Sequence, residues 1–149
     1  MGGDKKLKLT FCSGAGTVTG ANFLVEGGGK KFLIDCGLIQ GSDVDDELNW
    51  DDFPYNPAEI DFLFITHAHI DHIGRIPKLI HDGFRGKIFS VAPTKDITLY
   101  MLEDMANWVS RESKYELSKM YPTANIKKAM DMSKGLSYGE KTDQGDFSF

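Results

Sequence analysis

Three of the chain's four histidines fall within one stretch, Thr66-His67-Ala68-His69-Ile70-Asp71-His72. Imidazole nitrogens and carboxylate oxygens are the donors that bind zinc. His67 and His69 are two apart, so on an extended chain their rings point the same way. Asp71 and His72 follow at a turn just ahead of Gly74. Three imidazoles and one carboxylate suit a borderline divalent ion: zinc first, with manganese or iron as the alternatives. A solvated polar loop can hold the same residue types, but this spacing points to a metal site at His67, His69, Asp71 and His72.

Such donors need a rigid support. The apolar run Ile60-Asp61-Phe62-Leu63-Phe64-Ile65 leads straight into them and reads as a short buried strand. The cluster therefore sits where a strand opens into a loop. A second acid, Asp35, ends another apolar run, Phe32-Leu33-Ile34. A carboxylate there is costly unless it is paired or near a metal. It is either a turn cap or a group that supports the histidines from behind.

The glycine-rich stretch Ser13-Gly14-Ala15-Gly16-Thr17-Val18-Thr19-Gly20 follows an apolar strand pattern and invites a dinucleotide-binding reading. That fold needs a helix next. Here Ala21 to Glu26 reads as a strand and Gly27-Gly28-Gly29 as a hairpin turn. No Gly-Lys-Ser/Thr follows, which excludes a P-loop. The layout is strand, loop, strand, turn, strand.

The composition is that of a globular protein, 149 residues with 41% hydrophobic and 26% charged residues. No apolar run is long enough to span a membrane, and no apolar signal region follows the first residues. Two cysteines, Cys12 and Cys36, make no disulfide framework and read as small core residues. A reducing, cytoplasmic setting is the simpler expectation. The net charge of −5 gives no independent support for nucleic-acid binding.

Further signals complete the layout. Lys5 to Phe11 alternates as a strand with one face buried. Residues Gly41 to Pro57 are acidic and irregular, a loop anchored by Trp50, Phe53 and Tyr55. Ile76 to Asp82 reads as a short helix, with Pro77 near its start and Gly83 at its stop. Lys87 to Val91 reads as a strand. A long helix opens at Pro93-Thr94, its apolar face drawn through Ile97, Tyr100, Met101, Met105, Trp108 and Val109. Glu112 to Met120 continues as a weaker helix, and Pro122-Thr123 starts another that runs to about Lys134. Ser137 to Glu140 and Phe147 to Phe149 look like the beginnings of strands.

The stretch from Thr66 to His72 resembles the His-x-His-x-Asp-His signature of the metallo-β-lactamase superfamily, and Asp35 matches that family's earlier strand-end aspartate. Gly14 to Asn22, Asp35-Cys36-Gly37 and Gly83 to Phe89 are similar to its β-CASP branch, which includes RNA-processing nucleases. The resemblance runs from about Lys8 to the end of the chain. It implies an α/β fold, the four-layer αββα sandwich, of which residues 1–149 would supply the N-terminal part: the first sheet and its helices. The β-CASP insertion and the C-terminal half would lie outside. It also implies two zinc ions, His67 and His69 on the first and Asp71 and His72 on the second. Asp35 and Asp71 would be the catalytic acids, with Asp35 orienting the ligand histidines. The implied reaction is hydrolysis of RNA phosphodiester bonds by metal-activated water. The family's third histidine and bridging aspartate come later in its pattern, so each ion has two ligands here. His81 reads as an exposed surface residue. The rivals are a thioester or lactone hydrolase of the same superfamily, and a non-catalytic fragment that self-associates or pairs with a complementary chain.

Overall fold

The computed structural model describes residues 6–41, 48–111, 121–144 and 147–149. The main sheet has six strands in sequence order: β1 (Lys8–Ser13), β2 (Asn22–Gly27), β3 (Lys30–Ile34), β4 (Phe62–Phe64), β5 (Lys87–Val91) and β6 (Ser133–Leu136). The first three form an antiparallel meander, and β3 through β6 run parallel. The β2–β3 turn is the expected one. Gly28 and Gly29 have φ of 54° and 74°, the left-handed pair that a two-residue hairpin turn requires. A helix is absent between β1 and β2, so the dinucleotide reading fails.

Among the described residues, the helices that accompany the sheet include α1 (Ile70–Ile73), α2 (Ile76–His81), α3 (Ala92–Arg111) and α4 (Thr123–Asp131). Strand alternation sorts the sheet into two apolar faces. Leu24, Leu33, Leu63 and Ile88 align across the strands on one face. They form the core with Ile73, Ile76, Leu79, Leu102 and Ile126 of the helices. The opposite face carries Phe23, Phe32, Phe64 and Phe89. A small ribbon, β7 (Asp143–Gln144) with β8 (Phe147–Ser148), lies over part of it. The Phe149 ring packs edge-on to Phe64 at 4.6 Å and against Phe89 at 4.9 Å, and Phe147 meets Phe32 at 5.7 Å.

The architecture is that of an α/β protein with one helix-covered sheet and a second, two-stranded sheet on its other face. Among the described residues, no helix is long and apolar enough to cross a membrane.

Several local expectations are corrected. β1 has no buried residue. Leu9 and Phe11 share the ribbon-side face with Phe23, the ribbon does not reach that edge, and both side chains stay exposed. On α3 the buried stripe is Thr94, Thr98, Leu102 and Val109. Ile97, Tyr100, Met101 and Trp108 point outward, Trp108 being 47% exposed. Where the helix begins, it passes close to β6: a Cβ on Gly135 would stand 3.0 Å from the Ala92 Cα. α4 ends at Asp131, and the residues assigned to its last turn instead form β6, which pairs with the free edge of β5. Ser137 to Glu140 is a turn rather than a strand. The acidic stretch at 42–47 and the weak helix at 112–120 lie outside the described residues. The rest of the acidic loop is anchored by aromatics as expected: Phe53 stacks on Tyr55 at 5.2 Å, and Trp50 meets Tyr121 at 5.9 Å.

Both cysteines are free, Cys36 fully buried and Cys12 half-buried. Burial pushes the Cys36 thiol up to about 12. The thiolate is the reactive form, so Cys36 is inert at neutral pH. Iodoacetamide at pH 8 should leave Cys36 unmodified in the native chain and modify both cysteines in denaturant. Mass spectrometry reads the result, and native labelling of Cys36 would contradict this packing.

Candidate metal centre

The site forms at the carboxyl ends of β3 and β4, neighbours in the parallel part of the sheet. Ile34 pairs with Phe64, so the residues just beyond them, Asp35 and Thr66, emerge side by side. The Asp35 N–H still donates to the Phe64 carbonyl at 2.8 Å. Asp35 then turns into the left-handed region, with φ of 59°, which no other described non-glycine residue adopts. Aspartate tolerates this conformation better than most residues, and such strain needs support.

The support is explicit. Asn22, 1% exposed, donates its amide to the Asp35 carbonyl at 2.8 Å. The Tyr55 hydroxyl donates to the Asn22 side-chain oxygen at 3.0 Å. Burial raises the Tyr55 pKa, which keeps that hydroxyl a neutral donor. The carboxylate itself is 2% exposed and fully engaged. Its Oδ1 accepts the Thr66 N–H at 2.8 Å, and its Oδ2 accepts the Thr66 hydroxyl at 2.7 Å. The same Oδ2 meets His72 Nδ1 at 2.7 Å.

The loop bearing the histidines is clamped from the other side. The Ala21 N–H donates to the Asp71 carbonyl at 2.9 Å, and the Cys36 N–H to that of His72 at 2.8 Å. The Leu38 N–H donates to the Ile70 carbonyl at 3.0 Å. These contacts require residues 35–38 to lie directly on α1. A Cβ on Gly37 would fall 1.6 Å from the Asp71 carbonyl oxygen. That close approach explains a glycine at position 37.

Four donor atoms then fall into two pairs. His67 Nε2 stands 3.2 Å from His69 Nδ1, and His72 Nε2 stands 3.6 Å from Asp71 Oδ2. In a tetrahedral zinc site with bonds of about 2.0–2.2 Å, neighbouring donors stand roughly 3.3–3.6 Å apart. Each pair thus has the spacing of two ligands on one ion. The pairs are adjacent, since the His67 and His72 rings lie 3.9 Å apart. Among the described residues, no group of three or more His, Cys, Asp or Glu side chains is placed to hold a single ion. His81 lies on α2 and is exposed. Gly14, Gly16 and Gly20, all at positive φ, precede Ala21 and Asn22.

The geometry brings together all five residues singled out in the sequence. It adds Thr66, Asn22, Tyr55 and Gly37. Thr66 and Gly37 lay inside the motifs, but nothing local gave them a role. Tyr55 is joined to the site across 33 residues, which no spacing argument reaches.

Residues 15–84 match the family described as the metallo-beta-lactamase superfamily. Ribonuclease TTHA0252 of Thermus thermophilus is 32% identical over 90% of this chain and 29% of its own length. Transcription termination factor FttA of Methanocaldococcus jannaschii is 28% identical over 95% of this chain and 22% of its own. Cleavage and polyadenylation specificity factor 73 of Drosophila melanogaster is 33% identical over 87% and 19%. The chain is thus similar to the metallo-β-lactamase superfamily over the segment that carries Asp35 and the histidine cluster. It spans less than a third of the length of each of these relatives.

Proposed function

We propose that the chain is the N-terminal part of a metal-dependent hydrolase that cleaves RNA phosphodiester bonds. The observation that carries this reading is the pairing of four donor atoms at zinc-like spacing. His67 Nε2 and His69 Nδ1 would hold one ion, and Asp71 Oδ2 and His72 Nε2 the second. Such ions supply Lewis acidity and an activated water for attack on phosphorus. Zinc fits the nitrogen-rich set best, with manganese or iron as alternatives. Asp35 holds the His72 ring by its Nδ1 and leaves Nε2 directed at Asp71. RNA as the substrate is supported by the relatives, whose names are those of a ribonuclease, a transcription termination factor and a cleavage and polyadenylation factor. The exposed row Leu7, Leu9 and Phe11 supports self-association or a complementary segment over that edge of the sheet.

Catalytic zinc generally keeps three protein ligands, and each ion here has two. The 149-residue chain by itself should bind zinc substoichiometrically, lose it to a mild chelator and show no turnover on single-stranded RNA. Elemental analysis and a cleavage assay read these outcomes. Two tightly held ions per monomer with RNA turnover would overturn the ligand assignment. In the complete protein, metal-dependent RNA cleavage should disappear with His67→Ala. Turnover of a thioester or lactone there, without RNA cleavage, would reject the substrate class.

A further inference from the structure

The Thr66 hydroxyl touches three groups. Its Oγ1 is 2.7 Å from Asp35 Oδ2, 3.0 Å from His67 Nδ1 and 3.4 Å from His72 Nδ1. A hydroxyl has a single proton to give. A carboxylate has none, so the short contact to Asp35 requires that the threonine proton lie between Oγ1 and Oδ2. The threonine oxygen is then left as an acceptor toward His67. Only a proton on His67 Nδ1 makes that 3.0 Å contact attractive.

We propose that Thr66 is a positioning residue that passes the Asp35 carboxylate's hold on to His67, locking that imidazole as its Nδ1–H tautomer. The chain of donors runs from His67 Nδ1–H to Thr66 Oγ1, and from Thr66 O–H to Asp35 Oδ2. His72 makes the corresponding bond to the same Oδ2 directly, at 2.7 Å. One buried carboxylate therefore sets two rings, one by contact and one through a hydroxyl. In both rings Nδ1 is occupied and Nε2 is presented to the metal pair. His67 Nε2 is the atom that faces His69 Nδ1 at 3.2 Å. A ring free to take the other tautomer would place a proton where the ion requires a lone pair. The partner of a ligand histidine's second nitrogen sets its tautomer and orientation, and loss of such a partner typically weakens metal binding about 10–100-fold. The consequence for metal affinity rests on the metal reading above; the tautomer does not.

The test uses the 149-residue chain labelled with ¹⁵N-histidine, free of metal, with long-range ¹H–¹⁵N correlation to read each ring's tautomer. His67 in the wild-type chain should read Nδ1–H. Thr66→Val keeps the shape and removes the hydroxyl, so His67 should shift toward a mixture of tautomers. Thr66→Ser should restore the wild-type pattern, which a merely space-filling role for Thr66 would not produce. In parallel, zinc competition against a chromophoric chelator should show affinity falling about 10–100-fold in the valine variant and recovering in the serine variant. A wild-type His67 carrying its proton on Nε2 overturns the proposal with no variant needed. So does a folded valine variant with unchanged tautomer and unchanged zinc affinity. A wild-type chain that shows the Nδ1–H tautomer but binds no zinc overturns the metal reading and leaves the Thr66 assignment standing.

Discussion

Gly37→Ala should destabilise the chain by on the order of 3 kcal/mol or more, one of the largest effects of any single methyl group in this fold. The added Cβ would lie 1.6 Å from the Asp71 carbonyl oxygen and 2.7 Å from the His72 nitrogen. Both are backbone atoms, so no rotamer change relieves the overlap. The two segments must separate, and the bonds that seal them go too: Cys36 N–H to the His72 carbonyl at 2.8 Å, and Leu38 N–H to the Ile70 carbonyl at 3.0 Å. Net stabilities of domains are about 5–15 kcal/mol, so the loss is a large fraction of the total. For a domain of this size it corresponds to a drop in Tm of roughly 10 °C. The same movement pulls Asp71 and His72 away from His67 and His69. Gly29→Ala is the control. Its φ of 74° is unfavourable for alanine, but a Cβ there meets nothing within 4 Å. That change should cost about 1–2 kcal/mol and leave the site intact. Thermal unfolding compares the two. A Gly37→Ala chain as stable as Gly29→Ala would mean that residues 35–38 do not lie on α1 as described.

Asp35→Asn should have the largest effect at the donor cluster itself. Asparagine matches aspartate in size and tolerates the left-handed backbone that position 35 adopts, so the turn should survive. The carboxylate, however, accepts three protons: from the Thr66 N–H, the Thr66 hydroxyl and His72 Nδ1. An amide accepts through one oxygen and must point its NH₂ at one of these donors. With the oxygen kept on the Thr66 N–H, the NH₂ faces the Thr66 hydroxyl and His72 together. The hydroxyl rotates, His72 loses its partner, and the preference for a free Nε2 goes with it. Leaving a buried polar group unsatisfied costs about 1–3 kcal/mol of stability. On the proposed ligand assignment, zinc affinity should fall about 10–100-fold, as for other partners that orient ligand histidines. Chelator competition measures the affinity and thermal unfolding the stability. An Asp35→Asn chain that binds zinc as the wild type does would remove Asp35 from the support of the site.

What the sequence determined by itself was local. Three histidines and an aspartate within seven residues after an apolar run defined the donor set, because ligand types and strand-to-loop placement are properties of a short window. The Gly27–Gly29 turn was legible for the same reason, since glycine takes up the left-handed residues of a tight hairpin at the least cost. The acid at position 35 could be suspected, because a carboxylate ending an apolar strand needs a partner. The tertiary structure decided which partner. β3 and β4 run parallel with Ile34 beside Phe64, which brings Asp35 to Thr66, and the contacts of residues 36–38 with α1 bring His72 to it. The same non-local packing overrode two local patterns. The large apolar residues of α3 suggested its buried face, yet of them only Val109 is buried, beside Thr94, Thr98 and Leu102. Ser133 and Lys134 read as the end of a helix, yet the free edge of β5 offered them a ladder. Periodicity records what a segment can bury; which surface it buries against is settled only when the strands are side by side.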